Sequence, residues 1–517
     1  MGKQSDKKSK KWKIAAGIIL VIQALISIVS VGIVVWFNLL PLKYLVLIGL
    51  ILIWLLTLVY YFFYSGVRKK KGKKLTAQKK KRKLYIKRSI GGVISAITMA
   101  LCIVASSMVW QAGNALANIA DNVVVTDTVS VYALADNPAE SVADIKDGVF
   151  AITQNYDYEH TKTTLDKIRE NLGQDVHTQN YDTVFDMVDA LYAGNVDAMI
   201  LNVAYVDVIR DQKGYEDFSD RTKTLYDHEV KTSVAQENTQ DTRDITKDPF
   251  IIYISGSDTR NLKLATSRSD VNILAVVNPA SKQLLLLNTP RDYYVETTVS
   301  GGMRDKLTHC GIYGIDCSMG TLTNLYEENV DYYVQINFNG FETLIDAIGG
   351  ITVEAEKSFR TSEGGYYISQ GTNQLSGAVA LSYVRERKSF ADGDNARGRH
   401  QMQAIEAIIK KVSSGTTVLN NYSAILSSME GMFATNMSSS EISALVRMQL
   451  TDMASWNVKS FAVTGTGSSQ KTYSMPTKRS YVMIPDESQI DYARKLVDKV
   501  IDGGILSDGD LVMPTVQ

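Results

Sequence analysis

Residues 382–401, SYVRERKSFADGDNARGRHQ, place four arginines, a lysine and a histidine within twenty positions. A guanidinium is a planar fork that donates two parallel hydrogen bonds, which suits phosphate oxygens. Read as an extended chain, the segment sends Tyr383, Arg385 and Arg387 to one face and Glu386 to the other. Arg397 then opens a helix on which His400 and Gln401 share its face, and the amides of that helix start favour an anion. The expectation is a strand, a Gly-Asp turn and a helix start converging on a polyanion. The competing reading is a solvated basic face paired with Asp392 and Asp394.

Two further segments carry the same residue types. SGSDTRNLKLATSRSD supplies Asp258, Arg268 and Asp270, and NTPRDYY supplies Arg291 and Asp292. Both flank apolar runs that read as strands, and ligand sites of α/β sheets gather at strand ends. Aspartates beside arginines suit a pyrophosphate gripped by the arginines while carboxylates hold Mg²⁺ against its oxygens. No Ser-His-Asp or Cys-His arrangement suggests acyl transfer.

The elements that must position these residues read as a membrane anchor followed by two α/β domains. Apolar runs at Ile14–Phe37, Leu39–Tyr64 and Ser89–Trp110 are each long enough to span a bilayer. The formal charge of zero hides an asymmetry: before Gln111 there are 20 basic residues and one acid, and the remainder carries −19. By the positive-inside rule the N-terminus and the loop VRKKKGKKLTAQKKKRKLYIKR are cytoplasmic, and everything after the third span is exported. That loop lacks interleaved aromatics, so it is read as a topology signal or a lipid contact, and nucleic acid is not expected as a partner.

Residues 124–230 alternate short β runs (VSVYALA, GVFAIT, NVDAMILN) with helical segments (HTKTTLDKIREN, DTVFDMVDALYAG). This accessory α/β domain resembles one lobe of an extracellular solute-binding protein without a ligand signature, and reads as an interaction or spacer domain. A polar linker at 231–248 leads to a second α/β domain at 249–505. Its strands are FIIYISGSD, NILAVVN, KQLLLLNTP, YYVQIN and NVKSFAVTG, with a sheet covered by helices on both faces. In the helix RGRHQMQAIEAIIKKV, Met402, Ile405 and Ile409 are expected to face the core. Residues 506–517 read as a loose tail. Cys102 is expected to be inert packing, and Cys310 and Cys317, in CGIYGIDC, could close a short disulfide or stay as thiols.

The motifs GSDTR…SRSDVNIL, LLLLNTPRD, GMRDKLTH, DYYVQINFNGFETLIDAIGGITVE, LSGAVALSYVRERK and GDNARGRHQMQAI resemble, in this order, the LytR–CpsA–Psr family of cell-wall glycopolymer phosphotransferases. The three-span start and accessory domain look most like the streptococcal-type capsule-associated CpsA members. The resemblance implies an α/β/α layered catalytic domain with a mixed sheet, outside the membrane. That domain would move a polyprenyl-pyrophosphate-linked polysaccharide, capsular by this likeness, onto peptidoglycan, with water as a substitute acceptor giving slow pyrophosphate hydrolysis. It implies Mg²⁺, or Mn²⁺ in its place, on Asp258 and Asp270, one of which would take the acceptor's proton. Arg268, Arg291, Arg385, Arg387, Arg397 and Gln401 would grip the pyrophosphate with support from Lys306. Membrane lipid and capsule-assembly proteins are the further expected partners. The chain departs from the family pattern at Thr308, where Asn is common, and at His400, where Arg is common. The alternative reading is a membrane-bound regulator or receptor that binds polyprenyl-pyrophosphate glycolipids without turnover. Its cytoplasmic parts are too short for a helix-turn-helix reader.

Overall fold

A computed structural model describes residues 2–65, 76–121, 123–233, 243–257, 263–413, 425, 429 and 431–513. It divides into two units, Met1–Leu116 with Ser439–Met453, and Ala117–Ser438 with Ala454–Gln517.

The first unit is built on three helices, α1 (Gly2–Phe37), α2 (Leu42–Tyr64) and α3 (Ala77–Ala120), each long and apolar enough to cross a membrane. Their outward side chains are apolar, with Trp36, Leu42 and Leu101 all well exposed, as a lipid-facing surface requires. Small and polar residues join them. A Cβ at Gly113 would collide with the Phe37 ring at 2.1 Å, and Ser106 Oγ donates to Ser30 Oγ at 2.8 Å. The second span starts later than its apolar run because Pro41 precedes the helix and cannot sit in its interior. The helix Ser439–Asp452 belongs to this unit. Its Arg447 donates to Asn38 O at 3.0 Å, and Lys43 Nζ donates to Thr451 O at 2.9 Å.

The second unit contains two sheets. In the first, β1 (Val124–Leu134), β2 (Val149–Ile152), β3 (His177–Asn180), β4 (Ala198–Asn202) and β5 (Thr222–Ser233) lie in the order β3-β2-β4-β1-β5. Helices α4 (Tyr158–Leu172) and α5 (Val184–Tyr192) join the parallel strands, followed by the short α6 (Val206–Asp211) and α7 (Phe218–Arg221). Gly173 ends α4 at φ 67°, the left-handed geometry that glycine adopts without penalty. These elements match the alternation read from the sequence.

The second sheet is six-stranded and mixed. It contains β6 (Phe250–Ser257), β7 (Ser269–Asn278) and β8 (Gln283–Asn288). After the hairpin β9 (Tyr294–Glu296) and β10 (Arg304–Lys306) comes β11 (Tyr332–Asn337). The pairs β12 (Ile351–Ala355) with β15 (Gly371–Leu375) and β13 (Phe359–Arg360) with β14 (Tyr367–Ile368) form small ribbons. β16 (Phe433–Thr435) and β17 (Asn457–Ala462) then complete the sheet order β16-β11-β6-β7-β8-β17. The pair β18 (Gly465–Gln470) and β19 (Ser480–Pro485) lies apart.

One apolar cluster packs Tyr253, Leu274 and Leu285 of the sheet against α8 (Ile315–Tyr326) and the helix Glu487–Ile501. A second joins α9 (Phe338–Ala347), α10 (Gly377–Arg385) and α11 (Asp394–Ser413). The expected α/β layering therefore holds.

Three expectations need correction. LSYVR is helical rather than extended: Ala380, Tyr383 and Val384 are buried at helical spacing against the α9–α11 cluster. On α11, Ala396, His400 and Ala404 face that core, whereas Ile405 and Ile409 are only half-buried. The tail is docked. Leu506 is buried, and Asp508 and Asp510 pair with Lys459 and Lys499. Of the two states left open for Cys310 and Cys317, the structure has buried free thiols, hydrogen-bonded to one another. Of the expected linker, 231–233 lies in β5, 234–242 lies outside the described residues, and Arg243 pairs with Asp331 at 2.8 Å.

Candidate active site

The parallel strands β6 and β11 end at Ser257 and Asn337, and a cavity of about 260 Å³ opens there. Side chains alternate along β6, so Tyr253 enters the core while Ile254 and Gly256 face the cavity. A Cβ at Gly256 would meet Val271 Cγ2 at 2.5 Å, so glycine allows the bulge there that splays β6 from β7.

Its apolar lining is Ile254, Val271 and Ile336 from the sheet and Phe338, Phe341, Leu381, Val384 and Ile405 from the helices. The same cavity is lined by Arg268, Asp270, Arg291, Arg385, Arg387, Arg397 and Gln401. Seven of the nine residues expected from the sequence thus line one cavity. Lys306 does not line it. Its Nζ lies 3.3 Å from Asp292 Oδ1, and the adjoining Thr308 N donates to Arg291 O at 2.8 Å, so this segment braces the loop that carries Arg291. Asp258 lies outside the described residues.

Each element brings its arginine by a local device. Arg291 follows β8 and reaches Asp270 Oδ1 at 2.7 Å. Arg385, at the end of α10, lies over the Phe338 ring at 4.2 Å and pairs with Glu363. Arg397 and Gln401 stand one turn apart near the start of α11, and Arg397 pairs with Asp394. This helix reaches the site because Gly398 packs on β8; a Cβ there would meet Asn288 Nδ2 at 2.5 Å. Arg399 points away and pairs with Asp392 at 2.6 Å and Glu356 at 2.9 Å. The acids of the competing basic-face reading are therefore used, but one of the two arginines they hold still faces the cavity.

The electrostatics favour a bound anion. Burial opposes ionisation of Asp270, yet Arg291, Arg397 and Arg268 outweigh it and hold its pKa down at about 2. Burial lowers the pKa of Arg397 against the pull of Asp394 and Asp270. Arg291 Nε is buried without a hydrogen-bond partner and sits 3.6 Å from Asp292. Among the described residues Arg387 forms no ion pair, and it is exposed at the rim. A phosphate ligand would satisfy these donors. His400 takes no part: it stacks on Phe359 and Tyr383, Nδ1 facing Tyr383 O at 3.2 Å, and burial lowers its pKa to about 4.

Among the described residues no three His, Cys, Asp or Glu side chains cluster as a metal site. Asp270 is a half-buried carboxylate held ionised by its arginines, and Mg²⁺ commonly takes one or two carboxylates plus substrate phosphate oxygens. Of the two expected Mg²⁺ ligands, Asp270 is the one that the described residues place at the cavity.

Sequence reasoning missed three polar lining residues. Asp211 comes from the first α/β domain and Glu363 from the β13–β14 turn, and neither has a local signal; Asn337 caps α9 by accepting from Gly340 N at 2.8 Å.

Several known proteins are similar to this chain in sequence. The TagU polyisoprenyl-teichoic acid–peptidoglycan teichoic acid transferase of Enterococcus faecalis is 34% identical over 228 residues, 44% of this chain and 72% of that protein. The protein of the same name from Halalkalibacterium halodurans is 38% identical over 174 residues, 33% of this chain and 56% of that protein. The crystal structure of B. subtilis TagV aligns at 27% identity and a TM-score of 0.43, covering 50% of this chain and 98% of TagV. The LytR_cpsA_psr family model matches residues 211–490. With more than half of its length matched, the chain belongs to the LytR_cpsA_psr family.

Proposed function

We propose that the protein transfers a polyprenyl-pyrophosphate-linked glycopolymer, capsular polysaccharide in particular, onto peptidoglycan outside the membrane. The observation that carries this reading is one cavity lined by five arginines and eight apolar side chains. A polyprenyl pyrophosphate combines an anion with an apolar chain, and burying the chain removes apolar surface from water. The TagU relative, named for transfer from a polyisoprenyl-linked polymer to peptidoglycan, supports the reaction class.

In the reaction, a peptidoglycan hydroxyl attacks the sugar-linked phosphorus. The bond to the distal phosphate breaks, leaving a phosphodiester link and freeing polyprenyl phosphate. Arg291, Arg385 and Arg397 neutralise the charge that develops on the leaving group. Asp270, held ionised among three arginines, is a poor proton acceptor and a good anchor for Arg291. That leaves Asp258 as the better candidate to receive the hydroxyl proton. Asp270 and Asp258 would hold Mg²⁺, which supplies further neutralisation of the pyrophosphate. Water in place of the acceptor gives slow hydrolysis.

For topology, the helix Ser439–Asp452 bonds to the α1–α2 turn. This supports an outward turn, with the N-terminus and the basic α2–α3 segment in the cytoplasm. The discriminating test is turnover. A full-length protein that binds the glycolipid tightly, yet transfers nothing to peptidoglycan with metal supplied, is a receptor.

A further inference from the structure

Among the described residues, Arg268 is an arginine of the cavity that pairs with acids of the first α/β domain. Its Nη1 pairs with Asp211, and its Nη2 lies 3.5 Å from Asp207 Oδ2. Asp207 stands near the start of α6 and Asp211 one turn on at its end, and Val208 and Ile209 between them are buried in the first domain's core. Two carboxylates of one anchored helix therefore meet one guanidinium.

The same domain grips the backbone that leads to Arg268. Thr126 N of β1 donates to Leu264 O at 2.9 Å. Asp127 accepts from Thr266 N at 2.7 Å and from Thr266 Oγ1 at 3.0 Å, and Glu229 pairs with Lys263 at 3.0 Å. From the other side Gly311 lets this backbone approach: a Cβ there would meet Ser267 O at 2.4 Å and Ser269 N at 2.7 Å. The two domains also share apolar packing, with Ile312 and Met475 of the second in the core of the first.

We infer that the first α/β domain is a splint for the anion site, with Asp211 and Asp207 as positioning residues that aim Arg268 at the pyrophosphate and Asp127 fixing the segment before β7 that carries it. The inference rests on the cavity being a polyprenyl-pyrophosphate site. It gives the domain a task that needs no ligand of its own, since its contacts end on the segment that feeds Arg268 and Asp270 into the cavity. Fixing a guanidinium before the ligand arrives removes an ordering cost from binding.

The test is calorimetric binding of farnesyl pyrophosphate to the full-length protein in detergent, for wild type, Asp211→Asn, Asp211→Glu, Asp127→Asn, Arg268→Ala and the Asp211→Asn/Arg268→Ala double variant, with Arg385→Ala as a check on the cavity. Asp211→Asn and Asp127→Asn are expected to weaken binding about tenfold, the scale of one charge-assisted hydrogen bond. Asp211→Glu recovers most of that loss, and Asp211→Asn adds nothing once Arg268 is gone. Unchanged or tighter binding in Asp211→Asn, or an equal loss with and without Arg268, overturns the inference while a weakened Arg385→Ala leaves the cavity's function standing. Wild type that does not bind the probe contradicts both.

Discussion

Arg291 and Asp270 meet at 2.7 Å, joining the loop after β8 to the start of β7 at the bottom of the arginine cluster. The carboxylate serves three guanidiniums at once, which keeps it ionised and lets the arginines lie close together. Removing it leaves like charges facing one another in a half-dry cavity.

Asp270→Asn is therefore expected to destabilise the protein by roughly 3 kcal/mol, the scale of an uncompensated buried charge. Added pyrophosphate should restore much of the lost thermal stability, because it supplies the missing negative charge. The pH dependence follows in sign. Asp270's pKa is depressed, so its contribution is present above the unfolded carboxyl pKa near 4 and fades as pH falls toward about 2. Calorimetric melting between pH 5 and 2.5 should show that loss in wild type and a smaller one in the variant.

His400 predicts a second window. Its folded pKa is lowered to about 4 by burial among Phe359, Tyr383 and Phe390. Stability is thus full above the unfolded value near 6.5 and falls with pH from there toward 4. Between pH 7 and 5 the loss should be about 2 kcal/mol. His400→Phe should flatten that part of the melting curve and leave transfer within about threefold of wild type at pH 7.

Two neighbouring arginines should behave differently. Arg385 lies on Phe338 and lines the cavity, whereas Arg399 faces Asp392 and Glu356. Arg385→Ala should lower kcat/KM for the glycolipid donor by about 100-fold or more, and Arg399→Ala by less than about threefold. Similar losses in both would place the anion site elsewhere.

The apolar lining should read chain length. Leu381 of α10 and Ile405 of α11 both line the cavity. Leu381→Trp should raise KM for long-chain donors several-fold and spare a two-isoprene donor, measured as initial rates for a chain-length series.

Much of this was legible in the sequence, for separable reasons. Apolar runs such as ILAVV and QLLLLN can only be buried strands in this setting, and the motif acids and arginines sit just beyond their ends. The α10 segment misled because SYVRER alternates like a strand, although Ala380, Tyr383 and Val384 also recur at helical spacing and the core follows that second period. Asp211 and Glu363 had no local mark, since each reaches the cavity through tertiary folding, one from another domain and one from a hairpin turn. Lys306 was given a supporting role by motif, and it pairs with Asp292, the neighbour of Arg291 in the chain, without lining the cavity.

The most direct test of the central claim is a transfer assay on full-length protein in detergent. It would use a polyprenyl-pyrophosphate saccharide and peptidoglycan oligomers, with Mg²⁺ or EDTA, and mass spectrometry of the products. The account predicts saccharide-phosphate-peptidoglycan and free polyprenyl phosphate in equal amounts, lost with EDTA and in Arg291→Ala. Release of polyprenyl phosphate at the same rate from the folded Arg291→Ala variant, or glycolipid bound but never transferred by wild type, would contradict it.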